Sequence, residues 1–283
     1  VPSERGPVCI SVINMKGGVG KTTVVALLGR YAAYEDLRVL AVDLDPQANL
    51  SQAYMGQAYK RFLDSEEPSI VEVFDGYRPP TRNIESPSRL NPLEAVRDVY
   101  VDGTLSYIPS RFDFSDNLLR AAKPDPQVLA RFIADNFQDR DLVLIDCPPT
   151  ESVFTRAAYH ASRYVLVPVR PEYFATVGFP LLAKSLDSFR TENPSHRIEV
   201  IGVVINNGFY HGGDDGGPEK RRAMLEIYEE ANKNGWHIFK EEILHSRGFP
   251  KRMRGDWNHG GNAWRFFLFA DEFLDRLGLG GDN

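Results

Sequence analysis

Short apolar runs alternate along the chain with helix-like stretches. The runs are Val8 to Ile13, Arg38 to Val42, Leu105 to Ile108, Leu142 to Ile145, Tyr164 to Val169 and Glu199 to Ile205. Several are almost continuously apolar and β-branched, as strands buried on both faces of a parallel sheet are. The helix-like stretches are Thr22 to Tyr34, Gln127 to Phe137, Thr150 to Ala161, Phe179 to Arg190, Pro218 to Asn232 and Ala263 to Leu277. The alternation predicts an α/β fold, a mostly parallel twisted sheet with helices on both faces. It also predicts a single domain over residues 1–283. The least regular region, 53–103, contains a Pro-, Ser-, Asn- and Arg-rich stretch from Arg78 to Pro92 and reads as a divergent surface insertion. The Gly-Gly-Asp-Asp-Gly-Gly loop between Asn206 and Pro218 reads as a second irregular connection.

Composition narrows the classes. With 42% apolar and 25% charged residues, a largely disordered, collagen-like or membrane chain is excluded. No apolar run approaches the roughly 20 residues that span a bilayer. Val1 to Gly6 is polar and has no apolar signal core, which predicts a cytoplasmic protein. Cys9 and Cys147 sit in strand-like runs and read as small buried hydrophobes. Neither belongs to a Cys-x-x-Cys pair and the histidines lack ligand spacing, so a structural zinc or iron–sulfur site is not expected. The net charge of -6 means that any nucleic-acid binding requires a local basic patch.

The chemistry concentrates in Lys16-Gly17-Gly18-Val19-Gly20-Lys21-Thr22-Thr23, between a predicted strand and a predicted helix. Glycines let backbone N–H groups approach phosphate oxygens, and the helix start adds its positive dipole end. Lys21 is placed to reach the β- and γ-phosphates, and the Thr22 hydroxyl to bind Mg²⁺. The ordinary G-x-x-x-x-G-K-[ST] pattern requires Gly where this chain has Met15. Lys16 is a second lysine, too early in the loop to be the usual phosphate lysine. It suits a role in trans, reaching a partner subunit's nucleotide as an arginine finger does. The plain alternative is a solvated loop cation.

Three carboxylates lie at the ends of two apolar strands. Asp43 and Asp45 lie in Val42-Asp43-Leu44-Asp45-Pro46-Gln47, and Asp146 lies in Leu142-Val143-Leu144-Ile145-Asp146-Cys147-Pro148-Pro149. Carboxylates at the C-terminal edge of parallel strands face the ligand crevice. Asp45 is placed to orient a water or to bind Mg²⁺ through water, Asp146 to hold Mg²⁺, and Asp43 to support the loop from below. Taken singly, each segment also reads as a helix-capping turn.

Together these motifs resemble the deviant Walker A, switch I and switch II segments of the ParA/MinD family of P-loop ATPases. Further matches are Tyr164 to Tyr173 with Gly178, Ile108-Pro109-Ser110, and Ile201 to Asn206. The resemblance implies a SIMIBI-type P-loop NTPase fold and ATP and Mg²⁺ as cofactors. It implies Asp45 as the residue needed for hydrolysis and Asn206, in preference to Asn207, as the reader of the adenine edge. It further implies an ATP-dependent sandwich homodimer, a slow ATPase stimulated by a ParB-like or cargo-adaptor protein, and partitioning or positioning of a plasmid, chromosome or other cargo. Family members often carry Ile-Pro-Arg near adenine, where this chain has Ile243-Leu244-His245-Ser246-Arg247.

Such dimers commonly bind DNA without sequence preference. Candidate contacts are Arg221 and Arg222, beside Lys220, and Arg247, Lys251 and Arg252, near Arg254. Solvated surface cations are the plain alternative for each cluster. A MinD-like regulator without DNA binding is a second reading, and an ATP-dependent metabolic ligase a third. Membrane attachment is not expected, because the last helix-like stretch has a mostly acidic polar face. That stretch reads as a helix packing on the core through Trp264, Phe267, Leu268, Phe273 and Leu274.

Overall fold

The computed structural model describes residues 6–77, 91–112, 125–172, 178–207, 217–244 and 263–281. All six expected strands form: β1 (Val8–Val12), β2 (Val39–Asp43), β4 (Leu105–Ile108), β5 (Leu142–Asp146), β6 (Tyr164–Val169) and β7 (Glu199–Asn207). Two-residue strands β3 (Arg97–Asp98) and β8 (Ile243–Leu244) extend the sheet to the order β3-β4-β2-β5-β1-β6-β7-β8. Every pairing is parallel except β3 with β4. The protein is an α/β fold with a mostly parallel sheet, as expected.

Side-chain alternation along the strands separates two apolar layers. Val143 and Ile145 of β5 face one layer, and Leu142 and Leu144 face the other. The first layer is closed by α5 (Val128–Asn136), α6 (Val153–Ala161) and α7 (Gly178–Glu192). The second is closed by α1 (Lys21–Tyr34) and α9 (Ala263–Leu277). A further helix, α8 (Gly217–Lys233), buries Ala223, Ile227 and Ala231. Because both faces are covered, the strands are apolar nearly throughout.

Proline is tolerated inside β6 for a local reason. The last β1 partner on that strand is Leu166, so Pro168 lies beyond the β1 ladder and its missing N–H costs that ladder nothing.

The region expected as a surface insertion is partly core. After the end of α2 (Asn49–Met55) it holds α3 (Ala58–Leu63) and α4 (Ile70–Gly76), then a 3₁₀ turn at Pro92–Ala95. Ile70, Val73, Phe74 and Ala95 are buried in the first apolar layer. Helix α4 starts with a capping box, in which Ser69 accepts from a backbone N–H of the first turn and Glu72 accepts from the Ser69 N–H. The C-terminal end of α3 is held by Arg111, whose guanidinium donates to the carbonyls of Phe62, Leu63, Ser65 and Glu67. Residues 78–90, including most of the proline-rich stretch, lie outside the described residues, as does the 208–216 loop.

Helix α9 has the expected bounds, and its buried face includes the expected Phe273 and Leu274 but not Trp264 or Leu268. Phe266, Phe269, Ala270, Phe273 and Leu274 are buried, whereas Trp264 is 53% and Leu268 43% exposed and Phe267 is half-buried. The buried set follows the i, i+3, i+4, i+7, i+8 stripe of a helix, and Trp264 and Leu268 fall on the opposite side. The expectation for those two residues is therefore corrected.

This helical phase has an energetic consequence. Phe269→Ala empties a site packed against the Phe239 ring at 5.0 Å and should lower stability by about 3–5 kcal/mol. Trp264→Ala should cost about 1 kcal/mol or less. Urea unfolding midpoints of the two variants check the assignment.

Candidate functional site

The sheet order brings the chemical motifs together. Strand β5 lies between β1 and β2, with Asp146 opposite Val12 on one side and Asp43 on the other. The glycine-rich loop leaves β1 at the same edge, so loop and carboxylates meet at the C-terminal ends of three neighbouring strands. Crevices at such edges are where open α/β sheets bind ligands.

Two glycines let the loop turn. Gly18 and Gly20 have φ of 75° and 94°, in the left-handed region that glycine adopts without strain. A Cβ on Gly20 would also lie 2.0 Å from Nδ2 of Asn206. Gly20 caps α1, so the free N–H groups of the first turn and the positive dipole end face the loop. Gly17 and Gly18 are exposed, Val19 is buried, and Thr22 and Thr23 are half-buried at the helix start.

Side chains from distant elements hold the loop in place. Asn14 donates from Nδ2 to the Pro168 carbonyl at 2.8 Å, and its Oδ1 accepts from the Lys16 N–H at 2.9 Å. Helix α7 starts with Gly178 against this contact, where a Cβ would sit 2.6 Å from Asn14 Oδ1. Arg170 donates to the Gly18 carbonyl at 3.0 Å and pairs with Glu172 at 3.2 Å. Glu172 also receives the Lys16 Nζ at 3.4 Å. Sequence reasoning assigned no role to Asn14, Arg170 or Glu172, because the contacts Asn14–Pro168, Arg170–Gly18 and Glu172–Lys16 each join residues more than 150 positions apart and only folding brings them together.

The two lysines are placed differently. Lys21 is buried and folds back on its own loop, 3.4 Å from the Asn14 carbonyl and 3.3 Å from the Lys16 carbonyl. Burial lowers its pKa, and the nearby carboxylates of Asp146 and Asp45 oppose the shift. Lys16 is partly exposed, with a side-chain accessibility of 30%, and its charge is held at the rim by Glu172.

The carboxylates divide into supported and unsupported groups. Asp43 is fully buried and accepts from the Asp45 N–H at 3.2 Å and from the Ser51 N–H and hydroxyl at 2.8 and 2.6 Å. Burial nevertheless pushes its carboxyl up to about 7. Asp45 is buried, with Oδ1 accepting from the Gln47 N–H at 2.9 Å. Both carboxylate oxygens of Asp146 are buried with no hydrogen-bond partner among the described residues. Burial first, and then the neighbouring Asp43 charge, raise its pKa; the Thr22 hydroxyl and Lys21 oppose this, the hydroxyl lying near without a well-formed bond.

An orphaned buried carboxylate beside a threonine hydroxyl fits a hard divalent cation. Mg²⁺ keeps several waters and is bound through one or two carboxylates plus phosphate oxygens. Thr22, Asp146 and Asp45 are the residues that would hold it. No group of three or more His, Cys, Asp or Glu residues that could hold a metal occurs among the described residues.

The remaining candidates are placed as follows. Asn206 ends β7 and donates from Nδ2 to the Val19 carbonyl at 2.9 Å, so it abuts the loop. Arg221 and Arg222 are exposed at the start of α8. Lys220 pairs with Glu242 at 3.9 Å and Arg222 with Glu226 at 3.2 Å. Arg247, Lys251 and Arg252 lie outside the described residues. Among those described, no helix is long and apolar enough to cross a membrane.

Comparison with known proteins agrees with this arrangement. A family model described as an AAA domain matches residues 8–199. The chromosome-partitioning ATPase Soj of Thermus thermophilus is 32% identical over 197 residues, covering 69% of this chain and 68% of that protein. The fold is similar to an ATP complex of an aspartate-to-alanine variant of McdA from Cyanothece, with a TM-score of 0.78 and 18% identity over 98% of both chains. It is also similar to cobyrinic acid a,c-diamide synthase from Mycobacterium smegmatis with bound ADP and magnesium, with a TM-score of 0.70 and 25% identity over 96% of both chains.

The unsupported carboxylate predicts a stability change. A carboxyl whose pKa is raised by folding binds more protons when folded, so it costs stability as pH rises above its unfolded value. For Asp43 that window runs from 3.8 to about 7, and Asp146 shifts in the same direction. Asp146→Asn should therefore be more stable than the parent at pH 8 without ligand, by about 1–3 kcal/mol. The gain should shrink as pH falls toward 4. Thermal unfolding across that range checks it.

Proposed function

Because this chain belongs to the ParA/MinD family of P-loop ATPases, we propose that it is a partition-type ATPase whose ATP-bound form is a sandwich homodimer that binds DNA. The observation that carries the proposal is the pair of lysines on one glycine loop, one buried against the phosphate cradle and one at the rim, opposite Asp45 and Asp146. A buried lysine serves its own subunit's nucleotide. A rim lysine has the reach to serve a partner's.

In this reading, the loop N–H groups and Lys21 bind and orient the phosphates. Thr22 and Asp146 hold Mg²⁺, which when bound neutralises charge at the phosphate oxygens. Asp45 orients the attacking water, and Lys16 crosses the dimer interface to stabilise charge on the transferring phosphoryl group. Positioning and charge neutralisation suffice for this reaction, and no covalent intermediate is needed. Asn206, which abuts the loop through Val19, is assigned to the adenine edge, where its remaining amide oxygen suits the amino group. Hydrolysis is slow until a ParB-like or cargo-adaptor protein stimulates it, and ADP releases the dimer.

DNA contact is assigned to Arg221 and Arg222, with Arg247, Lys251 and Arg252. The Arg222–Glu226 pair is exposed at i,i+4 spacing, where such pairs contribute only about 0.3–0.5 kcal/mol, so exchanging Glu226 for a phosphate costs little. Basic residues at a helix start also oppose its dipole, which an incoming phosphate would relieve. A cytoplasmic, nucleoid-associated location follows from this reading. An ATP-dependent ligase is the second reading, supported by the likeness to a diamide synthase. It requires ATP turnover to depend on a small-molecule acceptor.

Two experiments test the proposal. Asp45→Ala should sediment as a dimer with Mg-ATP and as a monomer with Mg-ADP. The ATP form should retain nonspecific duplex DNA at low salt and release it as salt rises. A monomer under every condition contradicts the trans role of Lys16, and a dimer that ignores DNA removes the DNA reading. Lys21→Ala should abolish ATP binding by equilibrium dialysis, whereas Lys16→Ala should retain binding and lose dimerisation or turnover.

A further inference from the structure

Ser51 has no part in the motifs above, yet it is fully buried and makes three hydrogen bonds across the switch segment. Its hydroxyl donates to Asp43 Oδ2 at 2.6 Å and accepts from the Ser110 N–H at 2.8 Å. Its own N–H donates to the same Asp43 oxygen at 2.8 Å. The other Asp43 oxygen accepts from the Asp45 N–H at 3.2 Å. The backbone position of Asp45 is thus set by Asp43, Asp43 is set by Ser51, and Ser51 is set by the chain leaving β4.

The turn that closes this ring is strained. Ala48 is fully buried with φ of 52°, in the left-handed region that costs a non-glycine residue roughly 1–2 kcal/mol. Such a conformation persists only where surrounding bonds over-determine it. Here the Ala48 N–H donates to the Asp45 carbonyl at 2.8 Å, and Ser51 pulls the start of α2 back to Asp43 eight residues earlier. The hydroxyl must donate on one side and accept on the other, which serine and threonine can do and alanine cannot.

We propose that Ser51 is a positioning residue for hydrolysis, holding the Asp45 carboxylate in its productive place through Asp43 and the 45–48 turn. This rests on the hydrolytic role assigned to Asp45 above. Ser51 is fully buried and acts on Asp43 and Ser110, so its removal should act on turnover rather than on nucleotide affinity.

The test is steady-state ATPase activity, Mg-ATP affinity and thermal unfolding of Ser51→Ala and Ser51→Thr, with Asp45→Ala alongside. Displacing a reacting group by about 1 Å costs on the order of 10²-fold in rate. Ser51→Ala should therefore lose about 10²-fold in kcat while its ATP dissociation constant stays within about threefold, and Ser51→Thr should restore most of the rate. A kcat for Ser51→Ala within twofold of the parent overturns the proposal. So does a loss of affinity, turnover and Tm together in Ser51→Ala that Ser51→Thr does not relieve, since that is a structural role only. If Asp45→Ala turns over at the parental rate, the assignment of Asp45 fails instead, and the two failures are separate readouts.

Discussion

Three neighbouring strand ends, those of β1, β5 and β2, crowd one buried lysine and three aspartates into a small volume. The central strand carries Asp146, whose oxygens lack partners, directly opposite Asp43. Burial raises the pKa of both carboxyls, and neighbouring negative charge adds to this, from Asp43 on Asp146 and from Asp45 on Asp43. Lys21 compensates only in part, because burial disfavours its own charge. The protein without ligand therefore holds an electrostatic debt at one sheet edge. Phosphates with their cation are the kind of ligand whose charges match every member of the set.

The surrounding structure stiffens this edge. Asn14 ties the loop to β6, Gly178 lets α7 approach that contact, and Arg170 holds the Gly18 carbonyl. On the other side, Ser51 and Ser110 tie the switch turn to the end of β4. Each contact joins segments distant in the chain, so the loop and the turn are aligned by the sheet that separates them. Fixed dipoles and charges arranged before the ligand arrives need no reorganisation during reaction, which is how such sites accelerate phosphoryl transfer.

Lys16 belongs to the rim of this edge. Glu172 holds it, and Arg170 in turn holds Glu172. A half-exposed ion pair at the rim, screened by solvent, is worth little, on the order of 1 kcal/mol or less. Its partner is therefore readily exchanged, which suits a side chain expected to act outside its own subunit.

The strands, most of the helices and the phosphate loop were determined by local rules acting on the sequence itself. Continuous β-branched runs can only be satisfied between two covered faces, and the spacing of glycines and lysines states a phosphate cradle without reference to the rest of the chain. The face that α9 buries was legible only in part: Phe273 and Leu274 were expected in the core, but several aromatic stripes were available, and packing in the second apolar layer, Phe239 included, selects the one containing Phe269. The helices between 49 and 76 were missed for a related reason: they are six or seven residues long, too short for a periodic pattern, although the Ser69–Glu72 capping box marked one of them. Asn14, Ser51, Arg170 and Glu172 carry no motif of their own. Their roles come from partners up to 156 residues away, and such partners are chosen by the order of strands in the sheet rather than by any neighbouring residue.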